Sequence, residues 1–213
     1  NLTRLPSYAI QNPPNPELRW EKVKIANIAL DFETKNGGLS GSMDYYFKQG
    51  IDLIGDQPFP SSTGVTLFRG NFANTQTQGL DLFFKYRVVN KGVQWNQSLL
   101  FNWLKEEVTS YEVKALPIQY TNYGSGGAGT FPTPLKGYPL FSVFAYPWAG
   151  LDPANGNPLG LFEGQPSSNY NAIINSTPIE ELVYMGPARP NVFGSWMNTL
   201  NWKVWSFSAN ISY

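Results

Sequence analysis

The chain has 213 residues, 15 basic and 15 acidic side chains with no net charge, and neither Cys nor His. Neutrality leaves no basic footprint for nucleic acid or an anionic membrane surface. The missing thiols and imidazoles exclude Cys and His nucleophiles, Cys/His zinc sites and disulfide frameworks, so no metal or cofactor is expected. No run of 18 apolar residues exists to make a transmembrane helix. Aromatics at 15%, with 20 Gly and 17 Pro, point instead to an all-β chain rich in turns.

In chain order, Asn1 to Pro16 holds four prolines and reads as a loop. A first strand is expected over about Trp20–Lys35, where Ile28, Leu30 and Phe32 alternate with Asn27, Asp31 and Glu33. Asn36-Gly37-Gly38 supplies the tight turn, since Asn and Gly tolerate positive φ. The second arm alternates Leu39, Met43, Tyr45, Phe47, Ile51 and Leu53 with Ser40, Ser42, Asp44, Tyr46, Lys48 and Asp52. That period of 2 is a strand with one apolar and one wet face. Gly55 to Asn74 reads as a long polar connection. A third strand, about Thr75–Asn90, sets Leu80, Leu82, Phe84, Tyr86 and Val88 against Asp81, Phe83, Lys85 and Arg87. After the short turn at Asn90-Lys91-Gly92, a fourth strand to Glu106 sets Val93, Trp95, Leu99, Phe101 and Trp103 against Gln94, Asn96, Ser98 and Asn102.

A loop of about thirty residues follows, from Glu107 to Tyr138. A fifth strand (Pro139–Trp148), a short sixth (Leu159–Glu163), a seventh (about Asn191–Trp202) and an eighth (Trp205–Tyr213) complete the pattern. Connections therefore alternate short and long. Successive antiparallel strands would gather all the short turns at one end of the sheet and all the long loops at the other, as in transmembrane β-barrels. Arms of about 9 to 16 residues also exceed the usual soluble strand of about 5 to 6 and suit a tilted membrane-crossing strand. Trp95, Trp202 and Trp205 sit beside short turns, where an interfacial aromatic girdle belongs. Alternation alone leaves a soluble β-sandwich open, its apolar face being simply the core.

Motifs with chemistry fail on context. Gly124, Gly126 and Gly129 match GxGxxG, yet no strand leads in and Phe131-Pro132-Thr133-Pro134 cannot open a helix. Asp152–Glu163 has the length of a calcium loop, but Ala154 and Gly156 stand where side-chain oxygens are needed, so a Pro/Asn/Gly turn is expected. The pairs Glu106/Glu107 and Glu180/Glu181 are too close in sequence to converge on a glycosidic bond from one strand face. No enzyme is expected.

NPELRWEK before a long strand, LSGSMDYYFKQGIDLI, the QGLDLFF that follows Asn71, and YPLFSVFAYPWAGLDPANGNPLG together resemble the C-terminal barrel of SusC/RagA-type TonB-dependent outer-membrane transporters. The resemblance runs over nearly the whole chain, in the family's order. It implies a barrel of about 22 strands with a plugged lumen. This chain, residues 1–213, would supply about eight consecutive strands, roughly strands 12 to 19. The plug, the TonB-contacting box and the last strands have no counterpart here, so the chain reads as a piece of a longer protein. The resemblance further implies import of a glycan or peptide powered through TonB, a SusD-like surface lipoprotein as lid, a dimer of such pairs, and a place in the outer membrane. On that basis the polar-parity residues Asp44, Tyr46, Lys48, Asp81, Lys85, Arg87, Gln94, Asn96 and Asn102 are candidates to line the lumen and meet plug or substrate. Tyr111, Tyr120 and Tyr123 are candidates in the long extracellular loops, for substrate stacking or for gripping the lid. A secreted carbohydrate-binding sandwich and a passive porin are the alternatives.

Overall fold

A computed structural model describes residues 13–58, 62, 65, 67–113, 115–121 and 133–213. Its centre is one antiparallel sheet of six strands in the order β1-β2-β3-β4-β10-β11. The strands are β1 (Lys22–Glu33), β2 (Leu39–Pro58), β3 (Leu67–Asn90), β4 (Val93–Tyr111), β10 (Val192–Trp202) and β11 (Trp205–Ser212). Between β4 and β10 lies an insertion holding α1 (Pro117–Thr121), β5 (Ser142–Ala145), β6 (Trp148–Leu151), β7 (Pro158–Phe162), β8 (Gln165–Ser167), α2 (Tyr170–Ser176) and β9 (Val183–Pro187).

Continuous registers fix which residues share a face. Met43 pairs with Leu30 and Leu82, Leu82 with Phe101, and the row above runs Ile28, Tyr45, Leu80, Trp103 and Val192. Across the second half, Leu99 faces Trp196 and Trp196 faces Ile211, while Trp95, Leu200 and Phe207 make the next row. On β4 this apolar face extends from Val93 to Trp103, about ten residue steps of about 3.3 Å. Tilted as barrel strands are, that makes a band about 25 Å tall, the height of a bilayer's hydrocarbon band. Beyond it the same face turns polar, with Gln49, Gln76, Gln78, Lys105 and Glu107.

Among the described residues nothing covers this band. Tyr45, Met43, Leu99, Trp196, Leu200, Phe207 and Ile211 are all exposed, Phe207 at 64%. The buried apolar side chains among the described residues are Val65, Val108, Val113, Tyr120, Phe144 and Ile173, and none of them lies on the apolar face of the sheet. A sandwich would bury that face first. β1 and β11 form the two free edges of the six-stranded sheet.

The eight-strand expectation needs correction. The fifth and sixth expected strands lie outside the wall: β5 forms a two-stranded sheet with β9, and β6 and β7 form a three-stranded sheet with β8. They are four or five residues long, too short to cross the band, and the segment's prolines and glycines break it up. Conversely, β2 and β3 run on to Pro58 and from Leu67, well into the stretch Gly55–Asn74 that reads as a connection. Irregular registers between Gly50 and Ile54 shift the alternation there, and Asp52 takes a left-handed φ of 59°. Bulges of this kind hide a strand from a period-2 search.

Candidate functional site: the polar wall and its outer end

All nine lumen candidates fall on one face, opposite the apolar band. Asp44 faces Asp81 and Asp81 faces Asn102; Lys48 faces Thr77; Lys85 faces Ser98; Arg87 faces Asn96; Gln94 continues the row beyond. Two carboxylates placed directly opposite repel. Lys48 and Lys85 stand on the same face, four residues along their strands from Asp44 and Asp81. Between them Tyr46 lies over its cross-strand partner Gly79, where a Cβ would stand 2.6 Å from Tyr46 Cε1. The ring is therefore packed on its own wall, with only part of it free to meet anything else. The outer face uses the same device: Gly41 lies under Phe32 and Phe84, whose centroids are 6.1 Å apart, and Gly194 lies under Tyr213.

A cavity of about 440 Å³ opens on the polar face near the short-turn end, lined by Asp31, Glu33, Ser40, Ser42, Phe83 and Lys85. Lys85 Nζ stands 5.1 Å from the centroid of Phe83. Further round, β4, β10 and β11 show the polar face as a ladder of neutral side chains, with Asn96, Thr199 and Ser208 in one row and Gln94, Asn201 and Ser206 in the next. The wall thus divides into a charged stripe over β1–β3 and a hydroxyl and amide stripe over β4–β11.

At the far end, beyond the band, the wall carries a clamp that the sequence reading misses. Asn71 on β3 is bonded to Arg19 in both directions: Arg19 N donates to Asn71 Oδ1 at 2.7 Å, and Asn71 Nδ2 donates to Arg19 O at 2.8 Å. Asn71 Nδ2 also donates to Asp52 O. The guanidinium of Arg19 reaches Asp52 at 2.9 Å, and Ile54 N, beside the bulge, donates to Glu21 Oε1 at 2.7 Å. Asn15 turns the chain by accepting from Glu17 N and ties it down by donating to Arg69 O at 2.8 Å. NPELRWEK is therefore the stretch that replaces ladder hydrogen bonds where the bulges disrupt them. Nearby, Arg69 bonds Asp56 through Nε at 2.8 Å and Nη2 at 3.0 Å, which holds the Asp56 carboxyl below its ordinary value.

Val108 keeps the polar-face parity of β4, and a register irregularity at Asn74/Thr75 brings Tyr111 to that face as well. Val108 is fully buried there. The free edge of β4 at this level is taken by the insertion, with Val108 N donating to Tyr138 O at 2.8 Å and Gly137 N to Val108 O at 2.9 Å. Around Phe144 gather Tyr120, Tyr138 and Tyr184, with centroids 6.0, 5.2 and 5.6 Å away. Tyr120 is 5% exposed, so it is a core residue of the insertion and offers no open face for stacking. Burial pushes the Tyr120 and Tyr111 hydroxyls up. Tyr111 is half-buried, while Tyr123 lies outside the described residues, as do Gly124, Gly126 and Gly129. Glu106 points to the polar side just beyond the band. Burial raises its pKa against the pull of Arg189 and Lys48, and Arg189 is stacked 3.4 Å from the Phe141 centroid. Glu107 takes the opposite face, and Asp152 closes a turn by accepting from Ala154 N and Asn155 Nδ2.

No family model matches the chain. The TonB-dependent receptor SusC of Bacteroides thetaiotaomicron is 26% identical over 213 residues, covering 96% of this chain and 20% of that protein. A TonB-dependent receptor of Formosa agariphila is 23% identical over 206 residues, again about a fifth of its length. Among solved structures, the RagAB peptide transporter superposes with a TM-score of 0.72 at 25% identity, covering 96% of this chain and 22% of that one. The chain thus spans about a fifth of the length of the relatives it matches. By sequence and by fold it matches a section of the barrel wall of SusC/RagA-type TonB-dependent transporters, proteins of the bacterial outer membrane.

Proposed function

We propose that this chain is part of a TonB-dependent importer that takes a glycan or peptide across the outer membrane, with a SusD-like lipoprotein closing its outer mouth. One observation carries the reading: a bilayer-height apolar face over which no protein layer lies among the described residues, backed by a polar face bearing all nine candidates, eight of them charged or amide residues and the ninth Tyr46. The rest of the protein supplies the plug, the TonB contact and the remaining strands. In that reading the wall does no covalent chemistry. Asp44, Lys48, Asp81, Lys85 and Arg87 form the side of the wall that meets the plug through ion pairs. Gln94, Asn96 and Asn102 belong to the neutral stripe, which offers hydrogen bonds without strong charge and lets a polar cargo slide from one partner to the next. Tyr46 helps shape that surface while resting on Gly79. The insertion, rooted on β4 through Tyr138 and its aromatic core, forms part of the outer mouth where lid and cargo arrive, and the partly open ring of Tyr111 is the loop candidate able to touch cargo.

The test is extraction of the full-length native protein from membranes with and without detergent, followed by mass spectrometry of what co-purifies. The reading expects a detergent requirement, a lipoprotein partner and a retained glycan or peptide. A protein that leaves the membrane in plain buffer, alone, contradicts it. A detergent-requiring protein with no plug sequence and no partner makes it a passive pore instead.

A further inference from the structure

Net neutrality hides a local difference between the two ends of the sheet: one end holds lysines outside any ion pair among the described residues, and the other mixes both signs. At the short-turn end each connection carries one lysine: Lys35 between β1 and β2, Lys91 between β3 and β4, and Lys203 between β10 and β11. All three are exposed, and none joins an ion pair among the described residues. No Asp or Glu occurs from Tyr86 to Gln97 or from Asn198 to Tyr213. The carboxylates nearest this end, Asp31 and Glu33, sit on the polar face. At the other end acids and bases mix, and Asp52 and Asp56 are ion-paired with Arg19, Lys22 and Arg69.

Two of the three lysines occupy backbone that disfavours them. Lys91 has φ 44° and Lys203 φ 55°, left-handed values that Asn or Gly adopts with less strain. Turn geometry alone does not ask for lysine there, and an outlier of this kind points to work done by the side chain. The lysines also adjoin the aromatic rows. Trp202 and Trp205 flank the Lys203 turn on the apolar face, Trp95 lies two positions beyond Val93, and Lys203 Nζ stands 5.0 Å from the Trp202 ring. Val204, at the tip beside Lys203, is 92% exposed.

We propose that the short-turn rim docks anionic phospholipid headgroups, whose phosphate oxygens accept from the ammonium groups of Lys35, Lys91 and Lys203 while the acyl chains lie along the apolar face. The inference rests on the outer-membrane reading above. The occupant is a lipid because the rim is continuous with the lipid-facing band: rings at the edge of the band and cations one step beyond it match the apolar tail and charged head of one molecule. An acidic protein partner would have no need of that continuity.

The experiment takes the full-length transporter in detergent and titrates it with phosphatidylglycerol and with phosphatidylcholine of the same acyl chains, counting bound lipids by native mass spectrometry. The wild type is expected to prefer phosphatidylglycerol. The variant Lys35→Gln/Lys91→Asn/Lys203→Asn is expected to lose that preference, by about five-fold in relative affinity for each lysine, the effect of one basic residue at an anionic bilayer surface. Its phosphatidylcholine binding stays unchanged. Asn suits the left-handed positions better than Lys, so the variant keeps its fold and the loss cannot come from unfolding. A control, Lys85→Gln/Arg87→Gln on the polar face, keeps the preference. Equal binding of the two lipids by the wild type, a preference that survives in the triple variant, or one lost in the control overturns the proposal. Failure of the outer-membrane reading shows separately, as a protein that binds neither lipid and stays in solution without detergent.

Discussion

Gly79 is where the wall's packing is most directly exposed to test. A Cβ there would stand 2.6 Å from Tyr46 Cε1 and closer still to the end of that ring, so Gly79→Ala forces Tyr46 off the sheet. The expected cost has two parts. Losing an aromatic cross-strand contact costs about 0.2 to 1 kcal/mol, and overpacking costs about 1 to 3 kcal/mol. Against these, removing a glycine from a strand interior returns about 0.5 to 1 kcal/mol. The net is a destabilisation of about 1 to 2 kcal/mol. In a Tyr46→Ala background no ring is in the way, and the same substitution becomes neutral or stabilising by about 0.5 kcal/mol. The assay is urea unfolding of the full-length transporter in detergent for wild type, both single variants and the double variant. A coupling of about 1 to 2.5 kcal/mol is expected. Equal costs of Gly79→Ala in the two backgrounds would refute the reasoning, because they would mean that Tyr46 does not rest on Gly79.

Three further outcomes follow from the outer end. Asn71→Ala removes bonds to Arg19 N, Arg19 O and Asp52 O, and at about 0.5 to 1.5 kcal/mol each it releases the segment from Asn15 to Glu21, read as faster limited proteolysis there. Asn71→Asp keeps one of the three and falls between. Tyr120→Ala empties the centre of the insertion's aromatic core at a cost of about 3 kcal/mol, so the insertion becomes protease-sensitive while the barrel keeps its resistance to urea. Asp56 has a depressed pKa through its Arg69 bonds, so its contribution is present above its ordinary value of 3.8 and is lost as pH falls through the lower folded value. Relative to the intrinsic amide rate at each pH, protection from hydrogen exchange near the end of β2 and the start of β3 should fall on acidification in the wild type, and Asp56→Asn should show the reduced protection at both pH values.

What could be read from the chain alone was set by period and turns. From Leu39 to Phe47, Leu80 to Val88 and Trp205 to Tyr213 one parity is apolar and the other mostly polar, and the strands lie where the alternation puts them. Where backbone irregularity intervenes, the pattern disappears. The bulges around Asp52 and at Asn74/Thr75 shift the facing of residues within a few positions, so the outer halves of β2 and β3 looked like a loop and the inward turn of Tyr111 was invisible. The insertion misled for a different reason. Ser142–Ala145 and Pro158–Phe162 are true strands, but only their partners show that they belong to small sheets rather than to the wall. Tyr120 shows the limit for single residues: an aromatic in a loop looks available until its neighbours bury it. The signal for the clamp was present in NPELRWEK and Asn71, yet nothing in one sequence says that residues 52 positions apart share two hydrogen bonds.

The central claim is that one face of this sheet meets lipid and the other a hydrated interior, and single cysteines test it most directly because residues 1–213 contain none. Cysteines placed in turn at Asp81, Leu82, Phe101 and Asn102 of the full-length protein would be spin-labelled and read for collision with oxygen, which concentrates in lipid, and with a water-soluble nickel chelate. The account predicts that labels at Leu82 and Phe101 respond to oxygen and labels at Asp81 and Asn102 to nickel. Labels at Leu82 and Phe101 shielded from both reagents would contradict it, since the apolar face would then be a protein core.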